Sequence, residues 1–386
     1  MTMQPLPITG MGLVSPMGSS LSEYWDRLRY EHGSPVDLHR TLVDPGKVPN
    51  RRFYLSHVPA SEGSGQSPGL AFELAACAIR QAVEDAALDL TTQRVGLVLG
   101  TGAGDIDMFE RRDFAGDEDT SDVSAYTLAA RLGQRLQFDG PVLSVSTACS
   151  ASATAFALAL ELLEDHALDA VVVCGVEAVS RTTLAAFNKL QALDAERCRP
   201  FGDLRSGTVF GDGAAALVLH AIPRPGQRVY ARVCGIGLTC DAYHPTAPRP
   251  DGRMIAAAAR RALAQARASE SAITLVVPHG TGTIANDVAE YAMLLELFGS
   301  RLTSIPMFPL KAKIGHTSGG AGAFSVLTLA LMLHHQQVPP GLVGSLASEF
   351  ELHIPRDSTL PVDARLGLVN AYSFGGNQVS LVLEAA

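Results

Sequence analysis

Four short, almost wholly apolar runs punctuate this chain: "VGLVLG" at 95–100, "AVVVCGV" at 170–176, "AAALVL" at 214–219 and "SLVLEA" at 380–385. Runs of this length without polar alternation read as strands buried on both faces. Between them lie stretches with apolar residues at helical spacing, among them "LAFELAACAIRQAVEDA" (70–86), "GRMIAAAARRALAQA" (252–266), "DVAEYAMLLELFG" (287–299) and "FSVLTLALMLHHQ" (324–336). The alternation predicts an α/β protein whose sheets are sandwiched between helices. The chain opens with a strand and a Gly/Pro turn, "PITGMGLVSPMG", followed by a helix capped at its start, "SLSEYWDRL". After Pro223–Pro225 a second series begins with the strand "RVYARVCGIGLT", which divides the chain into halves at 1–225 and 226–386. The halves echo each other, since each holds a strand, a turn bearing a Cys or a His, and an alanine-rich or apolar helix. The polar, acidic stretch "RRDFAGDEDTSD" (111–122) reads as a surface excursion.

Composition narrows the function classes. With 386 residues, 47% of them hydrophobic, the chain is long enough for a sizeable core. A formal charge of −9 argues against an electrostatic nucleic-acid binder. No apolar stretch reaches the roughly 18 residues a membrane span needs, and "MTMQPLPITG" has neither the basic nor the long apolar region of a secretion signal. The six cysteines, at 77, 149, 174, 198, 234 and 240, form no CxxC pair, so free thiols in a reducing cytoplasm are expected. No glycine-rich dinucleotide fingerprint follows the first strand and no metal-ligand spacing is visible, so neither cofactor nor metal is expected.

Chemistry first shows at "LSVSTACSAS" (143–152), where a β-prone run passes through small polar residues to Cys149 and then into an alanine-rich helix. Cys149 reads either as a small buried residue or as a nucleophile. At a helix N-terminus the unpaired N–H groups and the dipole favour thiolate, and the same N–H groups can bind a developing oxyanion. Two histidines in the second half are the candidate partners. Each is expected to leave a strand into a glycine-rich turn: His279 at the end of the apolar strand of "VVPHGTGTIANDVAE", and His316 in "PLKAKIGHTSGGAGAF", five residues after Lys311. Before the last strand, "NAYSFGGNQVSLVLE" places Phe374 ahead of Gly375 and Gly376, where a tight turn offers the Phe374 N–H as a second oxyanion donor.

Seven blocks in this order, "ITGMGLVSPMG", "STACSAS", "RPFGDLRSGTVFGDGAAALVL", "CDAYHPTAP", "PHGTGTIANDVAE", "KAKIGHTSGGAG" and "NAYSFGGN", span nearly the whole chain, which resembles the β-ketoacyl synthase family. The resemblance implies a thiolase-like fold, two similar halves forming a five-layered αβαβα body, usually dimeric. It also implies decarboxylative Claisen condensation of a cysteine-bound acyl group with a malonyl thioester on an acyl carrier protein, in fatty-acid or polyketide assembly. Cys149 matches the nucleophile, His279 and His316 the histidine pair, and Lys311 the lysine near the second histidine. Phe374 matches the phenylalanine beside the oxyanion hole, and Thr281 and Thr283 the threonines that contact the phosphopantetheine arm. Phe187 aligns with a lining residue of the acyl pocket, and Gly375 falls with the substrate-binding residues. The arm comes with the carrier, so no bound cofactor is implied.

Relatives are separable by residue. Thiolases carry a second cysteine in the C-terminal turn, and "YSFGGNQ" has none; acetyl-CoA-starting synthases have asparagine where His316 stands; chain-length-factor subunits lack the nucleophile that Cys149 supplies. The remaining alternatives are a chain-length-factor-like or structural subunit of a heterodimer and a non-decarboxylating acyltransferase. Ser373 replaces a common glycine, Asn377–Gln378 a common Thr–Asn, and Ser325 a common glutamate nine residues after His316, while the excursion around 105–125 is short. These departures point to a specialised route such as polyketide or aryl-polyene synthesis. Because carrier proteins are acidic, Arg51, Arg52, Arg111, Arg112 and Lys189 are candidate docking cations.

Overall fold

A computed structural model describes residues 4–38, 48–56, 69–115, 123–164 and 167–386, without the side chains of 111–115. The strands of its main sheet are β1 (Leu6–Val14), β2 (Val95–Gly100), β3 (Val142–Val145), β4 (Ala170–Glu177), β5 (Gly213–His220), β6 (Ala231–Cys240), β7 (Ile273–Val277), β8 (Leu366–Tyr372) and β9 (Asn377–Ala385). They form one nine-stranded sheet in the order β7-β8-β9-β6-β1-β5-β4-β2-β3.

That order contains a repeat. In the first half β3, β2 and β4 run parallel, and β5 and β1 follow antiparallel. In the second half β7 and β8 run parallel, and β9 and β6 follow antiparallel. A parallel bridge from Val276 to Met307 stands beyond β7, where β3 stands beyond β2. The loose echo in the sequence is thus a repeated topology. The half-sheets join at a short seam, where Leu6, Pro7 and Ile8 pair antiparallel with Val233, Arg232 and Ala231.

The main helices are α1 (Leu70–Asp85), α2 (Ala151–Glu164), α3 (Arg253–Gln265), α4 (Ile284–Phe298) and α5 (Ala321–His335). Helix α1 covers the outer face of β1, β5 and β4; α3 covers β6 and β9, with α4 beside it. Helices α2 and α5 lie between the half-sheets, touching each other and strands of both halves. The layering is therefore helix, sheet, helix, sheet, helix. Sequence dictates the placement: α1 buries one face, through Ala71, Leu74, Ala75, Ala78, Ile79 and Ala82, whereas α5 is buried at every residue from Ala321 to Leu333. A helix apolar all round has no stable place except a middle layer.

The two central helices approach closely because their first turns carry small residues. A Cβ on Gly322 would lie 2.5 Å from the Ala153 nitrogen, and the Ala323 N–H donates to Ser152 Oγ at 3.0 Å. Two local expectations are corrected. The stretch 111–122 is not wholly a loop, since 111–115 complete the helix Ile106–Ala115; residues 116–122 lie outside the described residues. His316 does not leave a strand, because the helical turn Lys311–Ile314 intervenes between it and the extended Pro306–Pro309. Gly322→Val should force α2 and α5 apart and lower stability by about 1–3 kcal/mol, as overpacking does elsewhere. Thermal denaturation against the parent chain measures this.

Candidate active site

Cys149 lies in a single 3₁₀ turn, Ala148–Ser150, that feeds directly into α2. Helix α5 is entered in the same way, through Ser318–Gly320. Each turn begins on a non-glycine residue in the left-handed region, Ala148 at φ 50° and Ser318 at φ 41°. Such residues cost on the order of 1 kcal/mol each. The turns occupy equivalent places in the two halves and touch each other, because the helices behind them pack together at these ends. The repeat therefore delivers Cys149 and the turn after His316 to one point.

A cleft of about 290 Å³ opens there, lined by Cys149, His279 and His316 together with Phe187, Thr281, Thr283 and Phe374. The imidazole centroids are 5.6 Å apart with planes at 87°. The Ser318 N–H donates to His316 Nδ1 at 3.1 Å, which leaves the ring proton on Nε2. Lys311 Nζ lies 3.4 Å from His279 Nδ1 and also donates to the His279 carbonyl. An ammonium has only donors, so His279 likewise carries its proton on Nε2. Thr281 and Thr283 share a hydroxyl–hydroxyl hydrogen bond of 2.8 Å at the cleft wall.

Electrostatics here is ruled by burial. Both imidazoles are held well below the ordinary histidine value, first by burial and next by the Lys311 charge, with His316 adding to the effect on His279. They stand as neutral N–H donors. Cys149 departs from the helix-terminus expectation: burial pushes its thiol up to about 11, against the opposing pull of Lys311, its own backbone N–H and Ser318, while Glu177 adds to the rise. The desolvation of a thiolate 7% exposed outweighs the helix end. Among the described residues the N–H groups of Cys149 and Phe374 donate to no backbone carbonyl, whereas those of Ser373, Gly375 and Gly376 do.

Two of the expected site residues do not reach the cleft. Lys311 is buried behind His279 and acts on it from there. Gly375 (φ 86°) is exposed on the outer side of its turn, with its N–H on the Pro245 carbonyl at 2.8 Å, and Gly376 lines the cleft instead. Phe187 and Phe374 stack at 5.1 Å with planes 7° apart, and Phe210 meets Phe187 edge-on at 4.7 Å. Ser373, just before Phe374, accepts a hydrogen bond from Ser150 Oγ at 3.2 Å, tying this turn to the residue after Cys149.

Sequence reasoning missed two buried carboxylates. Glu290, on the inner face of α4, accepts the N–H groups of His279 and Gly280, both at 2.7 Å, and feels the charge of Lys311. Glu177 closes β4 and accepts N–H groups from both halves. Burial pushes each up to about 7. An acid ending an otherwise apolar strand was the available signal for Glu177. Of the candidate docking cations, Arg51 is paired with Asp37 at 2.7 Å, and Arg52 and Lys189 are exposed. Asn50 and Asn188 exchange hydrogen bonds of 3.0 and 2.9 Å, so the Arg51–Arg52 segment and Lys189 lie side by side. The side chains of Arg111 and Arg112 lie outside the described residues.

Residues 3–222 match the model of the β-ketoacyl synthase N-terminal domain, and residues 230–344 that of the β-ketoacyl synthase C-terminal domain. This chain belongs to the β-ketoacyl synthase family. It is 28% identical to 3-oxoacyl-[acyl-carrier-protein] synthase 2 of Synechocystis sp., with 98% of this chain and 97% of that protein covered. It is 31% identical to the tetracenomycin polyketide synthase ketoacyl synthase alpha subunit of Streptomyces glaucescens, over 86% of this chain and 85% of that one. Among solved structures, the ishigamide ketosynthase/chain length factor superposes with a TM-score of 0.89 at 28% identity, with all of both chains covered. The five-layered body with two similar halves is the thiolase-like fold, and the chain is an acyltransferase-type condensing enzyme. No helix among the described residues is long and apolar enough to cross a membrane.

Two measurements test the electrostatics and the aromatic turn of this synthase. Nitrogen NMR of the imidazoles should show both rings neutral from about pH 8 to about pH 6, past the ordinary histidine value. Because a nearby cation disfavours imidazolium, Lys311→Met should move the His279 titration upward in pH; rings titrating normally in the parent chain would contradict the burial argument. Ser373→Gly removes the hydroxyl that accepts from Ser150 Oγ and donates to the Asn377 carbonyl; loss of the tie to Ser150 alone is worth about 1 kcal/mol, roughly fivefold in an equilibrium. Alkylation of Cys149 by a bulky maleimide should accelerate by about that factor, relative to a small haloacetamide.

Proposed function

We propose that this chain is a β-ketoacyl synthase that joins a Cys149-bound acyl group to malonyl-acyl carrier protein with loss of carbon dioxide, in fatty-acid or a more specialised polyketide or aryl-polyene-type biosynthesis. The observation that carries the reading is the convergence of one thiol and two neutral Nε2–H imidazoles on a single cleft. Cys149 attacks the carbonyl of an acyl thioester, and the oxyanion is met by the N–H groups of Cys149 and Phe374. Collapse breaks the carrier's C–S bond, and the proton lost by Cys149 ends on the departing pantetheine thiol. The stacked Phe187 and Phe374 stand where the acyl chain must pass.

A malonyl thioester then enters along Thr281 and Thr283. Loss of its carboxylate leaves an enolate whose oxygen needs donors, and His279 and His316 present neutral N–H groups suited to it. An imidazolium would give up its proton and quench the carbanion; a neutral imidazole holds its N–H while donating. The carbanion attacks the Cys149 thioester, the C–S bond breaks, a β-ketoacyl thioester leaves on the carrier, and the released Cys149 thiolate takes a proton from solvent. Burial holds both imidazoles neutral, and Lys311 adds its charge to that effect and orients His279. The pantetheine arm arrives with the carrier, so no resident cofactor enters the scheme.

The partners are an acyl carrier protein, docking near Arg51, Arg52 and Lys189, and a second subunit. That subunit is either another copy or a chain length factor, as in the ketosynthase ApeO in complex with its chain length factor ApeC from Xenorhabdus doucetiae, 25% identical with a TM-score of 0.83. Six free thiols fit a reducing, cytoplasmic setting. Mass spectrometry after incubation with acyl- and malonyl-loaded carrier tests the function, the expected result being acylation of Cys149 followed by malonyl-dependent chain growth. Acylation without growth would make the protein a plain acyltransferase, and no acylation a non-catalytic partner subunit. His316→Ala should retain acylation and lose about 10²-fold or more in condensation.

A further inference from the structure

Glu177 lies at the end of β4 with its carboxylate buried between the two halves. Oε2 accepts the Gly102 N–H at 2.8 Å and the Gly319 N–H at 2.9 Å, and Oε1 accepts the Ala103 N–H at 3.2 Å. Gly102 and Ala103 belong to the turn after β2; Gly319 belongs to the turn that opens α5. The two turns can share one carboxylate only because both glycines lack side chains. A Cβ on Gly102 would lie 2.8 Å from Glu177 Oε2, and one on Gly319 would lie 2.2 Å from the Gly102 nitrogen.

Next to Gly319 stands Ser318 in its left-handed conformation, and the Ser318 N–H is the donor that meets His316 Nδ1. Successive N–H groups of one strained turn therefore point apart, one to the imidazole and the next to the carboxylate. Nothing in the local sequence favours φ 41° at a serine, so the turn must be held from outside.

We propose that Glu177 is the positioning residue for His316: by anchoring the Gly319 N–H to the turn after β2, its carboxylate keeps the Ser318 N–H on Nδ1 and so keeps Nε2–H facing the cleft. Glu177 touches no substrate and acts through the backbone. The inference deepens the proposed function, on which its catalytic consequence rests; the placement of the imidazole proton does not depend on it.

The charge on Glu177 also opposes ionisation of Cys149. Replacing it with a neutral isostere therefore has opposite effects on the two half-reactions, a signature that general loosening of the fold would not give. In Glu177→Gln, Cys149 should be acylated at least as fast as in the parent, while malonyl decarboxylation falls by about tenfold or more, since small misplacements of a catalytic group cost this much. Nitrogen NMR of His316 should show a single Nε2–H tautomer in the parent and a mixture in the variant, with Glu177→Asp recovering part of the parent signal. Thermal denaturation confirms that each variant is folded. The proposal is overturned if the parent carries the His316 proton on Nδ1, a result that requires no variant. It is equally overturned if folded Glu177→Gln keeps the parent's tautomer, or if acylation and decarboxylation fall together. Absence of malonyl-dependent growth in the parent, with the tautomer result intact, would instead refute the proposed function.

Discussion

Everything at the cleft depends on how near two buried helices come at their first turns. Helices α2 and α5 start from equivalent places in the two halves, and a middle layer leaves them nowhere to point except toward each other. Gly322 facing the Ala153 nitrogen, and Ser152 Oγ receiving the Ala323 N–H, set the separation. Because a turn bearing chemistry precedes each helix, the spacing of the helices is also the spacing of Cys149 from the turn that follows His316. Packing and reactivity are fixed by the same few small residues.

Charge within this buried centre is arranged around Lys311, whose pKa burial pulls down against the opposing charge of Glu290. Lys311 touches His279 but not the cleft, and its field adds to the larger effect of burial in keeping both imidazoles from taking a second proton. Glu290 holds the backbone of His279 and offsets part of that charge. The outcome is a pair of rings that can stabilise a growing negative charge without surrendering a proton to it. Cys149 bears the opposite consequence: the burial that keeps the imidazoles neutral raises the thiol to about 11, so it stands protonated at neutral pH.

The elements that sequence makes legible are those in which a local pattern settles the matter. Apolar runs such as "AVVVCGV" could only be covered strands, and the seam at Cys149 was visible as a change from β-prone to alanine-rich residues. His279 and His316 stood out because glycine-rich turns surround them. Glu177 was not legible, since its meaning lies in N–H groups of residues 102, 103 and 319, which only folding assembles. The displacement of Lys311 to a place behind His279, and the exchange of Gly375 for Gly376 at the cleft wall, depend on which way a turn faces. Ring of residues and direction of turn are tertiary facts, and the thiol's upward shift is another: a helix end is local, burial is not.

The seam where Leu6–Ile8 meets Ala231–Val233 has a mechanical meaning. A cleft between two independent lobes can admit its guest by swinging the lobes apart. Here hydrogen bonds run unbroken from one lobe into the other, and the central helices are bolted across the same line. Such a body cannot yawn. A long flexible chain must therefore be let in by small, local rearrangement of aromatic side chains at the rim, while the rigid frame behind keeps its reacting groups in register.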